Sequence, residues 1–382
     1  MKHLKLLSIS ILYTLLCACS GFFDKDNTPT PSPLVNYKQE VSPKNIWSTS
    51  TNGGVGSEYL KLVPAVTDRA IFTASKEGDV TATDRTSGKT LWKTATHVPI
   101  SGGPAAHDNV VVIGSREGDV IGLRQSDGAQ LWKAKVSSEV LASPAISQNI
   151  SLVKSIDGHL TALSVENGQT LWKYQQTEPT LILRSASAPQ IIHDNIIVGF
   201  ANGTLAKLTL QSGSLYWDQL IAIPQGSFTI QRMVDIDADP IVLNHRIYAA
   251  TYQGRIAALD FSSGKMIWNY DISSYSGIAA DPERVYVSDA KSHIWAFDAE
   301  SGRVDWRQSQ LEARNTTGPA VMGNYIVVGD EEGYLHWLNK QDGRFVGRVR
   351  VDRSGILATP VVSDNTLYVV TKSGYLAAYR LS

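Results

Sequence analysis

Few residues in this chain could do chemistry, and most of those lie in the first twenty residues or at turn signals. Thiols occur only at Cys17 and Cys19, so residues 20–382 can hold no disulfide, no thiolate nucleophile and no Cys-ligated zinc. Of the eight histidines, His107, His193 and His245 fall at or beside turn signals, His159 and His293 just after others, and no pair has metal-ligand spacing. P-loop, His-Glu-x-x-His, Gly-x-Ser-x-Gly and EF-hand spacings do not occur. Asn52-Gly53-Gly54-Val55-Gly56 lacks the strand, helix and acidic partner of a dinucleotide fingerprint. No cofactor is expected. Two segments remain as candidates for recognition. Leu181-Ile182-Leu183-Arg184 combines desolvatable aliphatics with one planar five-donor head, which suits an interface centre, although the loop could also fold its own leucines inward. Asp235-Ile236-Asp237-Ala238-Asp239 could face a partner or calcium, form a solvated acidic face, or serve turn chemistry, and Arg184 could pair with its carboxylates. With 35 Lys and Arg against 36 Asp and Glu there is no basic surface for nucleic acid.

The elements that must position these segments follow from a repeat. Seven prolines (64, 104, 144, 189, 240, 319 and 360) are each followed fourteen residues later by glycine, and five of those glycines fourteen residues later by tryptophan. A second glycine precedes each tryptophan by four. The sixth copy keeps Gly302 and Trp306 but has Ile278 and Ser292 in place of Pro and the first Gly, and the seventh has Gly347 in place of Trp. Short β-rich runs such as Val110-Val111-Val112-Ile113, bounded by Asp-Asn, Glu-Gly and Asp-Gly turns, make each copy four antiparallel strands, A to D. Units of about 42 residues are the size of propeller blades. Eight tryptophan-equivalent positions run from Trp47 to Gly347. The last copy lacks a D strand, and a lone D-like strand surrounds Trp47. The expected fold is therefore all-β: a single eight-bladed propeller over residues 44–382, closed by pairing the N-terminal strand with the C-terminal blade.

Insertions in such a ring mark its variable loops. The usual 12 residues from Trp to the next Pro become 17 after Trp172 and 23 after Trp217. Because strands alternate in direction, these two long D to A loops stand side by side on one face. They carry the Leu-Ile-Leu-Arg and Asp segments.

The first 18 residues read as a secretory signal, with Lys2 and Lys5 before an apolar run over 6–16 that is too short to span a bilayer. Leu16-Cys17-Ala18-Cys19 resembles the bacterial lipobox, which implies acylation of Cys19, and Ser20 in place of Asp favours an outer-membrane destination. Residues 19–43, with Thr28-Pro29-Thr30-Pro31-Ser32-Pro33, are expected to form a solvated tether.

Two family resemblances follow. Ala258-Leu259-Asp260-Phe261-Ser262-Ser263-Gly264-Lys265-Met266-Ile267-Trp268 resembles the tryptophan-docking repeat of pyrroloquinoline-quinone dehydrogenases, which are longer chains, often with a vicinal cysteine pair. The alternatives it keeps open are a periplasmic quinoprotein and a periplasmic sugar- or peptide-binding propeller. The second resemblance covers nearly the whole chain. The lipobox, the eightfold repeat, the two loop segments, and Val328-Gly329-Asp330-Glu331-Glu332-Gly333-Tyr334-Leu335-His336-Trp337 through Asp342-Gly343-Arg344-Phe345-Val346 are similar to the BamB family, outer-membrane lipoproteins of the β-barrel assembly machinery. That resemblance implies a non-enzymatic scaffold facing the periplasm, with Leu181, Leu183, Arg184, Asp235 and Asp237 binding the POTRA repeats of BamA. Contact with unfolded outer-membrane proteins by β-augmentation along an exposed D strand is a separate expectation.

Overall fold

Turn chemistry sets the strand pattern. At the first C to D turn, Asp84 Oδ1 accepts from the Ser87 amide at 2.7 Å, and Gly88 takes φ +72°, a region that favours glycine. The same Asp-x-x-Ser-Gly turn recurs at Asp260 and Asp298. Flanked by such turns, the β-branched runs pair into eight four-stranded antiparallel sheets. The computed structural model describes residues 29–51, 53–184 and 186–382; the signal segment and Cys19 lie outside the described residues. Two units are distinguished, Met1–Pro31 and Ser32–Ser382, and the sheets all belong to the second.

Blades I to VII (65–95, 100–135, 145–175, 190–220, 241–271, 277–308 and 320–350) each use four consecutive strands. Blade VIII takes three from 361–381 and its outer strand from Pro43–Ser50, with Trp47 opposite Ala378 and Ser50 opposite Tyr375. This is the expected eight-bladed ring, closed by the expected strand. Six of the seven repeat prolines, all but Pro240, line a cavity along the axis of the ring.

Junctions between blades are built from the repeated tryptophan and glycine. Each indole lies on the C to D turn glycine of the next blade: a Cβ at Gly88 would sit 2.6 Å from Trp47, and one at Gly264 2.6 Å from Trp217. In every case but Trp217 the indole N–H then donates to a carbonyl of the next blade, as from Trp92 to Gln125 at 2.7 Å and from Trp306 to Lys340 at 2.8 Å. Aromatic burial and a satisfied polar end explain why this residue type repeats.

The junction between blades VII and VIII has no such pair, for a topological reason. The C and D strands of blade VIII come from opposite chain ends, so there is no C to D turn and no turn glycine for an indole to cover. Gly347 stands at the tryptophan position, and a Cβ there would meet Val41 at 2.8 Å. Val41 is buried there, and the amides of Glu40 and Val41 donate to Val346 O at 2.8 and 3.1 Å. The tether expected through residue 43 therefore gives way to packed chain from Ser32 onward. Val35, Tyr37 and Val41 supply apolar contacts that the Pro, Ser and Thr run before them lacks.

Candidate loop interface

The two long D to A connections, 176–189 and 221–240, pass over the B to C turns of blades III to V, as the strand directions require. Ile236 N donates to Phe200 O at 3.2 Å and Tyr252 N to Asp235 O at 2.9 Å. In the Asp-x-Asp-x-Asp run the side chains alternate as in a strand. Ile236 and Ala238 are buried against the blades, while the carboxylates point to the neighbouring loop. Asp235 Oδ1 accepts from Leu183 N at 2.7 Å, Asp237 Oδ1 from Ala186 N at 2.7 Å, and Asp239 Oδ1 from Ala188 N at 2.6 Å. These three carboxylates form a comb that stitches one loop to the other through backbone hydrogen bonds, and hydrogen bonds to a charged acceptor are the stronger kind.

The expected acidic partner surface is thereby corrected. Asp235 and Asp237 are 0% and 6% exposed, and they shape the neighbouring loop instead of presenting charge. Arg184 does not reach them; it pairs with Glu139 in the connection from blade II to III, and its side chain is 57% exposed. Leu183 is half-buried and Leu181 is exposed. The geometry thus brings Leu181, Leu183 and Arg184 together as surface and Asp235 and Asp237 beneath them as support.

Buried charge surrounds the comb. Lys154, at the end of the blade III B strand, is buried and donates to Gly199 O at 2.9 Å. Burial holds its pKa down to about 8. Burial likewise pushes Asp235 up to about 6 and Glu178, which accepts from Ala201 N, up to about 7. From the opposite side of the ring mouth, Lys61 pairs with the second Asp237 oxygen at 2.7 Å and also donates to Tyr275 O. The connection that closes the ring is thus tied to the loop pair. A cavity of about 590 Å³ opens at this mouth, lined by Tyr59, Lys61, Leu183, Arg184 and Tyr252 among others.

Sequence reasoning missed the apolar tip of the longer loop. Ile223, Phe228 and Ile230 are 66%, 68% and 60% exposed, beside the short 3-10 helix Thr229–Arg232. Loop length marks the interval, and Ile, Phe and Ile in a segment with no acid from 219 to 234 is the signal the sequence offers.

Comparison with known proteins agrees with this fold. The family profile described as outer membrane protein assembly factor BamB matches residues 76–308 and 297–381. Proteins named outer membrane protein assembly factor BamB are similar over nearly full length: 49% identity in Alkalilimnicola ehrlichii (96% of this chain, 94% of that one), and 43% in Legionella pneumophila strain Paris (98% and 100%). The crystal structure of BamB from Moraxella catarrhalis superposes with a TM-score of 0.82 at 27% identity, covering 89% of this chain and all of that one. A quinohemoprotein alcohol dehydrogenase from Comamonas testosteroni gives 0.72 at 13% identity (88% and 76% covered), a likeness of fold alone. The chain belongs to the BamB family of outer membrane protein assembly factors.

Proposed function

We propose that this protein is a non-enzymatic scaffold of the outer-membrane β-barrel assembly machinery, held at the outer membrane by acyl chains on Cys19 and facing the periplasm. It assists the folding and insertion of outer-membrane proteins by binding the POTRA repeats of BamA. Leu181, Leu183 and Arg184 make the contact, and Asp235 and Asp237 hold the loop that presents them. The observation that carries this reading, within a family of assembly factors, is the loop pair itself. It departs from the repeat in length, is fastened by buried carboxylates, and presents an exposed Arg, a residue type enriched where interfaces concentrate their binding energy, beside two leucines.

Affinity capture from detergent-solubilised outer membranes is the test. Recovery of BamA with the intact protein, and its loss with Leu183→Ala plus Arg184→Ala, supports the reading. Recovery of BamA by both proteins moves the contact elsewhere on the ring, and recovery by neither removes the partner.

A further inference from the structure

Residues 328–348 of blade VII have no part in the loop interface, yet with Arg314 they form a buried polar assembly. Asp330 and His336 are both fully buried, and Arg314 is 3% exposed. Asp330 Oδ2 accepts from Arg314 Nε at 2.8 Å and lies 2.8 Å from His336 Nε2. Arg348 Nε donates to His336 Nδ1 at 3.1 Å. An arginine can only donate, so Nδ1 accepts and the proton of a neutral His336 sits on Nε2, facing Asp330. Each member fixes the next.

One nitrogen of each guanidinium reaches the chain's own N-terminal segment. Arg314 Nη1 donates to Ser32 O at 2.8 Å, and Arg348 Nη1 to Val35 O at 3.1 Å. The Arg348 guanidinium also lies 4.9 Å from the Tyr37 ring centroid, and Tyr37 packs on Phe345 at 6.0 Å. Arg344 meets the Glu40 carboxylate at 2.9 Å, and Val41 fills the space left by Gly347.

We infer that residues 314–348 form a peptide-binding site whose ligand is the anchor-proximal segment 32–42, and that its task is to take the pull of the membrane tether before that pull reaches the strand closing the ring. The ligand class is an extended segment with an aromatic residue, an acid three positions on and a β-branched residue after it, as Tyr37, Glu40 and Val41 provide. The need for such a site follows from the topology. The body has no cysteine to lock its ends together, so closure rests on the non-covalent pairing of Pro43–Ser50 with the C-terminal strand. Tension applied at Pro43 would peel that pairing from its end, one hydrogen bond after another. Tension applied at Ser32 meets the buried Arg314–Asp330 and Arg348–His336 supports first.

The inference rests on the anchored reading for its purpose, but its test does not require acylation. The mature chain, made without residues 1–18, carries its only thiol at Cys19; a second handle is added at the exposed blade II turn by Asp127→Cys, and the protein is stretched between them. The expected result is two steps: release of 32–42, lengthening the chain by no more than about 40 Å, then opening of the ring at higher force. Tyr37→Ala with Glu40→Ala, both outside the blade strands, should lower the force of the first step and leave the melting temperature of the unloaded ring within a degree or two of the parent. Opening in one step, or a first step indifferent to that double substitution, would overturn the inference. Absence of acyl label at Cys19 in cells would instead defeat the anchored reading and leave the binding site intact.

Discussion

The seven tryptophan junctions and the stitched loop pair hold this protein together by different means. At the junctions, an indole covers a glycine turn, and in six of the seven, all but Trp217, it donates a hydrogen bond to a carbonyl of the next blade. In the loop pair, three carboxylates reach backbone amides fifty-odd residues away, with Lys154 buried nearby and Lys61 crossing from the opposite side. Apolar contact tolerates variation because area, not direction, supplies most of its energy. A buried carboxylate comb does not, since each tooth that is lost leaves a buried donor unmet at about 1–3 kcal/mol. Scaffold and site are therefore separable: damage to the first should unfold the ring, and damage to the second should loosen one surface on an intact ring.

The largest effect should come from breaking closure. Deleting residues 29–50 removes the outer strand of blade VIII and the cover over Gly347, and calorimetry on the truncated protein should then show no single cooperative melting transition. Trp47→Ala alone should cost about 3 kcal/mol. A truncated protein that melts like its parent would show that the outer strand does not close the ring.

Next in size is the comb. Asp235→Ala should weaken BamA binding at least tenfold while shifting the melting temperature little. Asp235→Asn retains an oxygen for the Leu183 amide and should restore most of the affinity. Equal losses in the two variants would mean that the carboxylate charge is itself the contact, contrary to its burial. Either variant unfolding the ring would erase the distinction between scaffold and site.

The smallest effect is a dependence on pH. Asp235 and Glu178 have folded-state pKa values raised to about 6 and about 7, so between roughly pH 4 and 7 the folded chain retains protons that the unfolded chain has released. Stability contributed by these groups falls as pH rises through that window. Hydrogen exchange at the Leu183 amide, corrected for intrinsic rate, should accordingly show less protection at pH 7.5 than at pH 5. Glu178→Gln, which keeps an acceptor for Ala201 N, should flatten the profile. A profile that slopes the other way would place these carboxylates in a solvated or cation-dominated setting.

What the sequence disclosed divides along the same line. Pro, Gly and Trp at fixed intervals specified blade number and the closing strand because each marker answers to a local requirement: a turn, a positive φ, an indole over a glycine. Gly347 was visible as an exception, but its cause was not, since the segment that fills its place lies some three hundred residues earlier. Asp235, Asp237 and Asp239 were found by chemistry and by loop length, and their period of two already implied one acidic and one apolar edge. That the acidic edge is covered by the neighbouring loop, so that neither edge faces solvent, is something local pattern does not encode. Arg184 was likewise correctly placed on the surface, while its partner Glu139 belongs to a third connection that the repeat gave no reason to inspect.

The most direct test of the separable interface is the affinity of the soluble propeller for the POTRA repeats of BamA, measured with thermal melting on the same samples. Truncating a central Arg and a neighbouring Leu should cost about 2 kcal/mol or more, so Leu183→Ala with Arg184→Ala should raise Kd roughly thirtyfold. The melting temperature should stay where it was. An unchanged Kd, or a loss of affinity accompanied by a matching fall in melting temperature, would contradict the claim that these loops are a binding surface carried by an independent ring.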